Sequence, residues 1–288
     1  MLNIKKILLP VDFPNTSLRV IHEAAALARH FHAEIVMLHV PTMLSHASGV
    51  PEGGPELARW DMLAEITREA EKNADQSLGP ELHDLTIQRL LVKGTAAQAI
   101  VHTALHERAD LIMMPSHGDA FSQFLLGSVT AKVLDRTECP VWTDAHVPEP
   151  LASEFAIRNI LCAVTFDPHN RKCVSWAAQM AADFGAHLTL AHVTASVKFW
   201  GPGGGYTSPE WKEALVSDAS HHIAKLQRDM GIKADVFIGS GDAPKVLCQV
   251  AKQTKADLLV TGCYPYGGRL RTHGYEIICA VPIPVLSV

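Results

Sequence analysis

The chain has 288 residues, of which 48% are hydrophobic and 19% are charged, and its formal net charge is −5. This balance is typical of a globular protein and excludes a disordered or collagen-like chain. The length predicts about two domains, since a domain commonly has about 150 residues. The negative charge and the absence of Lys or Arg runs argue against binding to nucleic acid or to an anionic membrane surface.

The sequence also bears on the compartment. No apolar run approaches the roughly 20 residues that a membrane-spanning helix needs. The first residues lead directly into a strand-like segment, without the apolar region and cleavage site of a signal peptide. The six cysteines include no C-x-x-C pair, which predicts reduced, mostly buried thiols rather than a disulfide framework or a zinc site. We therefore expect a cytoplasmic protein.

The sequence contains an internal repeat, the feature that most constrains the fold. Four blocks recur in the same order: 7–13 as 160–166 and 38–40 as 191–193, both at an offset of 153; 109–112 as 256–259 at 147; and 140–141 as 284–285 at 144. The slowly falling offset indicates a duplication with small deletions in the second copy.

A proline-rich, polar segment separates the two copies. It has no helical or strand periodicity, which is typical of a linker. We predict a first domain at 1–146 (the first repeat), a linker at 147–156 and a second domain at 157–288 (the second repeat).

Strand-like and helix-like segments alternate in each repeat. The first repeat has predicted strands at 4–11, 33–40, 85–92, 111–114 and from 140, and predicted helices at 17–32, 55–78, 96–107 and 127–136. The second repeat has predicted strands near 158–164, 187–193, 233–238, 257–261 and 284–288, and predicted helices near 171–185, 209–230, 243–254 and 272–280. This order predicts an α/β fold of two tandem, open, mainly parallel five-stranded sheets with helices on both faces. The glycine-rich segment 200–211 is predicted as a flexible loop, with a lid or a partner surface as the alternative.

Ligands of open parallel sheets bind beyond the carboxyl ends of the strands, where the strand order reverses. Asp12 follows the first strand, and its carboxylate can accept hydrogen bonds from ribose hydroxyls or a base amine. Gly127 and Ser128 open a helix, where free N–H groups, a hydroxyl and the positive dipole end suit a phosphate. Each feature alone also serves as an ordinary turn former or helix cap, but their common position favours a ligand site. The candidate binding residues are Pro10, Val11, Asp12, Val40, Met114, Ser116, His117, Gly118, Gly127, Ser128, Val129 and Thr130.

Five segments, 6–13, 38–40, 116–118, 125–129 and 139–141, carry a resemblance to the universal stress protein family. The chain as a whole resembles a member with two tandem domains. The resemblance implies an adenine-nucleotide alpha-hydrolase-like, Rossmann-like fold whose strand order reverses between strands one and four. It implies that nucleotide-binding members hold ATP with a G-x2-G-x9-G-[S/T] loop and the aspartate after the first strand. It also implies that domains pair through their last strands, here within one chain as a pseudo-two-fold monomer that can then dimerise.

The first repeat departs from that loop in two ways. Pro115 stands at the first glycine, where it removes an N–H and fixes φ, and eight residues rather than nine separate Gly118 from Gly127. Because Asp12, both of these glycines and Ser128 are present, the first repeat is predicted to bind ATP or another adenine nucleotide, with or without Mg²⁺.

The second repeat departs further. Thr165 stands at the position of Asp12, and Pro265 replaces the second glycine of the loop. No conventional ATP site is expected there. Arg269 and Arg271 either pair with an anion, seal a vacated pocket or stay solvated.

Three functions from different classes remain open. In the first, the protein acts in a stress response and binds an adenine nucleotide in its first repeat as a regulatory ligand. In the second, it is a scaffold that binds no nucleotide and acts through homodimerisation and a protein partner. A slow ATPase is the third alternative, with His117 as the candidate near the phosphates, but no general base or metal site supports it. His102 and His106 share a helix face without an evident third ligand, and no metal site is expected.

Overall fold

A computed structural model describes residues 2–12, 17–40, 65, 68, 72, 81–116, 126–145, 155–167, 170–194, 199–201, 204–206, 209–262 and 270–288. The strands in this part of the chain are β1 (Lys6–Val11), β2 (Glu34–His39), β3 (Ile87–Leu91), β4 (Leu111–Met114), β5 (Val141–Thr143), β6 (Asn159–Ala163), β7 (His187–Thr194), β8 (Phe199–Gly201), β9 (Gly204–Tyr206), β10 (Asp235–Ser240), β11 (Leu258–Thr261) and β12 (Val285–Ser287). The helices are α1 (Leu18–Phe31), α2 (Ala96–His106), α3 (Ser128–Leu134), α4 (Asn170–Phe184), α5 (Pro209–Met230), α6 (Ala243–Gln253) and α7 (Leu270–Ala280).

Ten of these strands form one sheet in the order β10-β7-β6-β11-β12-β5-β4-β1-β2-β3. Each repeat contributes five neighbouring strands, and all pairings inside a repeat are parallel. The two last strands, β5 and β12, pair antiparallel, with Trp142 opposite Leu286. The predicted five-stranded parallel sheets and their pairing through the last strands are therefore confirmed. The strand order also reverses at β1 and β4, as the resemblance implied.

Helices cover both faces of the sheet because its strands are apolar on both sides. All four residues of β4 are buried, and so are all four of β11. One face packs against α1, α4 and α5. The other packs against α2, α3, α6 and α7. The buried runs of the strands therefore form the middle layer of a three-layer core.

The two repeats pack together through both helix layers as well as through the sheet. On one face, the repeat-related Phe31 and Phe184 meet edge to face with ring centroids 5.9 Å apart. On the other, the Tyr275 hydroxyl of α7 donates to the carbonyl oxygen of Ala131 in α3 at 3.0 Å. The same hydroxyl contacts the carboxylate of Asp135. The junction is thus a continuation of the core.

A second pair of repeat-related residues fixes the strand ends. The Nδ1 atom of His39 lies 2.9 Å from the carbonyl oxygen of Val11, and that of His192 lies 2.8 Å from the carbonyl oxygen of Val164. A carbonyl only accepts, so each Nδ1 carries the proton. The two histidines therefore have the same structural role in the two repeats.

Several element boundaries differ from the prediction. The third predicted strand of the second repeat begins two residues later than expected, at Asp235, whereas α7 begins two residues earlier than expected, at Leu270. The segment 200–211 is predicted as a flexible loop, but Phe199–Gly201 and Gly204–Tyr206 form the antiparallel strands β8 and β9, and aromatic residues favour strands. The predicted helix 55–78 lies almost wholly outside the described residues; Glu65, Arg68 and Lys72 within it are helical and exposed.

Candidate functional site

The candidate site begins where β1 and β4 end side by side. These strands are hydrogen-bonded neighbours, with Ile7 opposite Leu111. Pro10 and Val11 are the last two residues of β1, and Asp12 follows them. Val11 is buried, Pro10 is half-buried and Asp12 is exposed. The carboxylate of Asp12 is therefore presented to solvent at the point where the strand order reverses.

Two further candidate residues, Val40 and Met114, lie at the ends of the two strands that flank β1 in the order β2-β1-β4. Val40 comes directly after β2 and is half-buried, while Met114 ends β4 and is buried. Both are apolar and lie at the same edge of the sheet as Asp12. The fold therefore brings apolar side chains to either side of the exposed carboxylate.

The residues on either side of segment 117–125 are hydrogen-bonded to each other. The N–H of Gly127 donates to the carbonyl oxygen of Ser116 at 2.9 Å. The hydroxyl of Thr130 donates to the carbonyl oxygen of Pro115, also at 2.9 Å. These two bonds hold the start of α3 against the end of β4, and they engage two donors that the sequence pattern had assigned to a ligand.

Helix α3 begins at Ser128, with Gly127 as its N-cap and no side-chain cap. Ser128 is exposed and Val129 is half-buried. The hydroxyl of Ser128 and the first N–H groups of the helix thus lie beside the end of β4. His117 and Gly118, the other two candidate residues, lie outside the described residues.

Asp144, a buried carboxylate that is not among the residues predicted from the sequence, links the segments around the candidate site. Asp144 directly follows β5 and is 8% exposed. Its Oδ1 accepts from the N–H of Ser116 at 2.8 Å and from the Ser116 hydroxyl at 3.0 Å. Its Oδ2 accepts from the hydroxyl of Ser17 at 2.7 Å. Asp144 therefore joins the β4–α3 loop to the start of α1, which Ser17 caps through the N–H of Val20.

These contacts change the interpretation of Ser116. Its N–H and its hydroxyl both point to Asp144, and the residue is only 1% exposed. The polar groups of Ser116 therefore fix the end of β4 to Asp144. Asp144 has the same sequence signal as Asp12, because each is an aspartate directly after a strand.

Glu23 on α1 is a second buried carboxyl near Asp144. The indole N–H of Trp142, in the middle of β5, donates to Oε2 of Glu23 on α1 at 2.7 Å. Burial raises the pKa of Glu23 from 4.5 to about 8; the negative charge of Asp144 adds to this rise, and the bond from Trp142 opposes it. Glu23 is therefore mostly neutral at pH 7, which is how a carboxyl is tolerated in an apolar layer.

The corresponding end of the second repeat has a different character. The hydroxyl of Thr165 contacts the carboxylate of Asp167. Next to it, Phe166 is 45% exposed. Its ring centroid lies 4.2 Å from that of His192 and 5.0 Å from that of His222. An engaged hydroxyl and an aromatic–imidazole contact thus replace the exposed carboxylate of the first repeat. Pro265 and Arg269, and the side chain of Arg271, lie outside what the structure describes.

A cavity in the second repeat lies elsewhere and does not coincide with this site. It measures about 710 Å³ and lies at the amino-terminal ends of β7 and β10, between Gly185, His187, Lys233 and Asp235. Ligands of parallel α/β sheets bind at the opposite, carboxyl edge. The polar groups that converge at the carboxyl ends therefore identify the candidate site better than cavity size does.

Two negative findings concern the described part of the chain. It contains no cluster of three or more His, Cys, Asp or Glu side chains that could hold a metal ion. His102 and His106 stack on α2 with ring centroids 6.3 Å apart. Of the helices described, none is long and apolar enough to cross a membrane.

Fold and site together define a tandem α/β protein whose candidate ligand crevice lies at a reversal of strand order. Comparison with known families gives this class its name. The chain matches the model of the universal stress protein family twice, over residues 3–143 and 156–272. It therefore belongs to this family as a tandem member.

Individual relatives agree with this assignment. The chain is 30% identical to universal stress protein MJ0531 of Methanocaldococcus jannaschii over 140 residues, which are 48% of this chain and 79% of that protein. It is 26% identical to the Na(+)/H(+) antiporter NhaS5 of Synechocystis sp. over 252 residues, which are 85% of this chain but 32% of the antiporter. A solved universal stress protein from Archaeoglobus fulgidus aligns with a TM-score of 0.68 at 19% identity, covering 98% of this chain and 95% of that one. The likeness to the Archaeoglobus fulgidus structure shows the fold.

Proposed function

We propose that the first repeat binds ATP or a related adenine nucleotide and that the protein uses it as a regulatory ligand in a stress response. The observation that carries the proposal is the exposed carboxylate of Asp12 at the end of β1, beside the end of β4. Strand order reverses at these two strands, where dinucleotide- and mononucleotide-binding sheets hold their ligands.

The neighbouring residues suit the parts of such a ligand. Asp12 would accept hydrogen bonds from ribose hydroxyls. The half-buried, apolar side chain of Val40 offers a surface to an adenine ring. The start of α3 offers the hydroxyl of Ser128, the N–H groups of its first turn and the positive end of a helix dipole to the phosphates, while the N–H of Gly127 is bonded to Ser116. Mg²⁺ would then bind to the phosphates rather than to a protein cluster.

A scaffold without nucleotide is the second candidate, and two residues favour it. Pro115 has no N–H, and the N–H of Ser116 is already bonded to Asp144. Two donors at the start of the loop are thus missing from a phosphate site. A scaffold would act through a homodimer or a protein partner. Because β5 and β12 already pair within the chain, a dimer would use another surface, such as the outer strands β3 and β10.

Calorimetric titration with ATP, ADP and AMP separates the two candidates. The proposal predicts binding by the wild type, loss of binding in Asp12→Ala, and unchanged binding in the matched variant Thr165→Ala of the second repeat. Circular dichroism of both variants is the control for correct folding. Equal affinity of wild type and Asp12→Ala would remove Asp12 from the site. No binding by the wild type would favour the scaffold.

The proposal includes a cytoplasmic location. The five cysteines within the described part of the chain are free thiols, and reduced thiols are usual in that compartment. Fractionation of cells that express the full chain tests this point directly.

A further inference from the structure

Two buried thiols face each other in the second repeat. Cys162 lies on β6 and Cys173 in the first turn of α4, and they are 0% and 1% exposed. Their Sγ atoms are 3.8 Å apart. The two residues are 11 positions apart in the chain. A disulfide has an S–S length of about 2.05 Å, so the sulfurs have to approach by less than about 2 Å to form one.

The first repeat shows what these positions require for packing alone. The residues equivalent to Cys162 and Cys173, at the offset of 153, are Leu9 and Val20. Both are 0% exposed. The fold therefore accepts ordinary apolar side chains at both positions, and the second repeat alone places two sulfur atoms in contact there.

We propose that Cys162 and Cys173 form an intrachain disulfide when the protein meets a small oxidant such as a peroxide, and that this bond ties the first turn of α4 to β6. The site is distinct from the candidate nucleotide site, which lies in the first repeat. The bond would hold the segment after β6, where Thr165 and Phe166 lie, in its present position.

The chemistry balances with a peroxide as the oxidant. One thiol sulfur attacks a peroxide oxygen, the O–O bond breaks, and a sulfenic acid and one water form. The second sulfur attacks the sulfenic sulfur, the S–O bond breaks, and the disulfide and a second water form. The two sulfurs together lose two electrons to the peroxide, and both thiol protons leave in the waters.

The environment sets the rate of the reaction. The hydrogen-bonding contact with Cys173, together with burial, holds the pKa of Cys162 well above its usual value. Because the thiolate is the reactive form, oxidation is expected to be slow at neutral pH and faster at alkaline pH. Once one sulfur is oxidised, the adjacent thiol resolves it without diffusion.

Peptide mapping of the folded, full-length chain tests the proposal. The protein is treated with hydrogen peroxide, alkylated, digested with trypsin without reduction and analysed by mass spectrometry. Trypsin cleaves after Arg171 and Lys172, so the two cysteines lie in different peptides. The expected product is a linked pair of peptides, 159–171 and 173–198, that reducing agent separates. Persistence of both thiols at neutral and alkaline pH, or pairing of either with another cysteine, would overturn the proposal.

A matched variant keeps the test independent of folding defects. Cys162→Leu/Cys173→Val places the residues of the first repeat at both positions. Peroxide is expected to raise the Tm of the wild type, because a crosslink restricts the unfolded chain. It is expected to leave the Tm of the double variant unchanged. An equal rise in both proteins would assign the effect to another residue.

Discussion

The raised pKa of Glu23 makes the stability of the protein depend on pH in a predictable direction. The carboxyl is neutral in the fold up to about pH 8 but ionises near 4.5 once exposed. Between these values the unfolded chain has lost a proton that the folded chain keeps, so the contribution of this group falls as pH rises. It is fully present below about 4.5 and is lost at pH values above about 8.

The magnitude follows from the same two values. The difference between about 8 and 4.5 is about 3.5, and each unit of pKa corresponds to about 1.4 kcal/mol. The full effect is therefore about 5 kcal/mol. Glu23→Gln keeps an acceptor for the indole N–H of Trp142 but cannot ionise. Its free energy of unfolding, relative to that of the wild type, should rise by about this amount between pH 4.5 and 8.

Urea denaturation of wild type and Glu23→Gln across this pH range measures the difference directly. Subtracting the two curves removes the other titrating groups, because they are common to both proteins. Glu213→Gln, on an exposed position of α5, is the matched control and should stay within about 0.5 kcal/mol of the wild type. A difference between Glu23→Gln and wild type that does not change with pH would refute the reasoning.

Three further predictions concern one buried contact within the first repeat and two contacts between the repeats. Asp144→Ala leaves the buried N–H of Ser116 without its partner and should destabilise the protein by about 1–3 kcal/mol in urea denaturation; an unchanged midpoint would contradict the bonding described. A double-mutant cycle on Phe31→Leu and Phe184→Leu should give a coupling energy of about 0.5–1.5 kcal/mol, and additive effects would show that the rings do not interact. Tyr275→Phe removes one hydroxyl between α7 and α3 and should cost about 1 kcal/mol, whereas a neutral effect would mean that the bond to Ala131 has no net value.

Much of the fold was predictable because it follows from local patterns that occur twice. The alternation of apolar strands with helices predicts a parallel sheet, and the repeat predicts it again in the second half. The boundaries of β10 and α7 were less accurate, since the ends of elements depend on tertiary packing. The pairing of β8 with β9 could not be predicted from the glycine-rich composition of this segment, although the aromatic residues in it favour strands.

The site was predictable only in part. The positions of Asp12 and Gly127 in the fold are predictable because Asp12 directly follows a strand and Gly127 precedes a helix. The role of Asp144 depends on Ser17, which is 127 residues away in the chain, and no local pattern reports such a contact. The neutral state of Glu23 likewise depends on burial beneath β5, which is a property of the assembled core.

The central claim is that the first repeat alone binds an adenine nucleotide. Native mass spectrometry of the full chain, mixed with an excess of ATP and Mg²⁺, measures this most directly because it counts ligands per chain. The expected result is a mass increase of one nucleotide per chain in the wild type and none in Asp12→Ala. A chain that carries no nucleotide, or one that carries two, would contradict it.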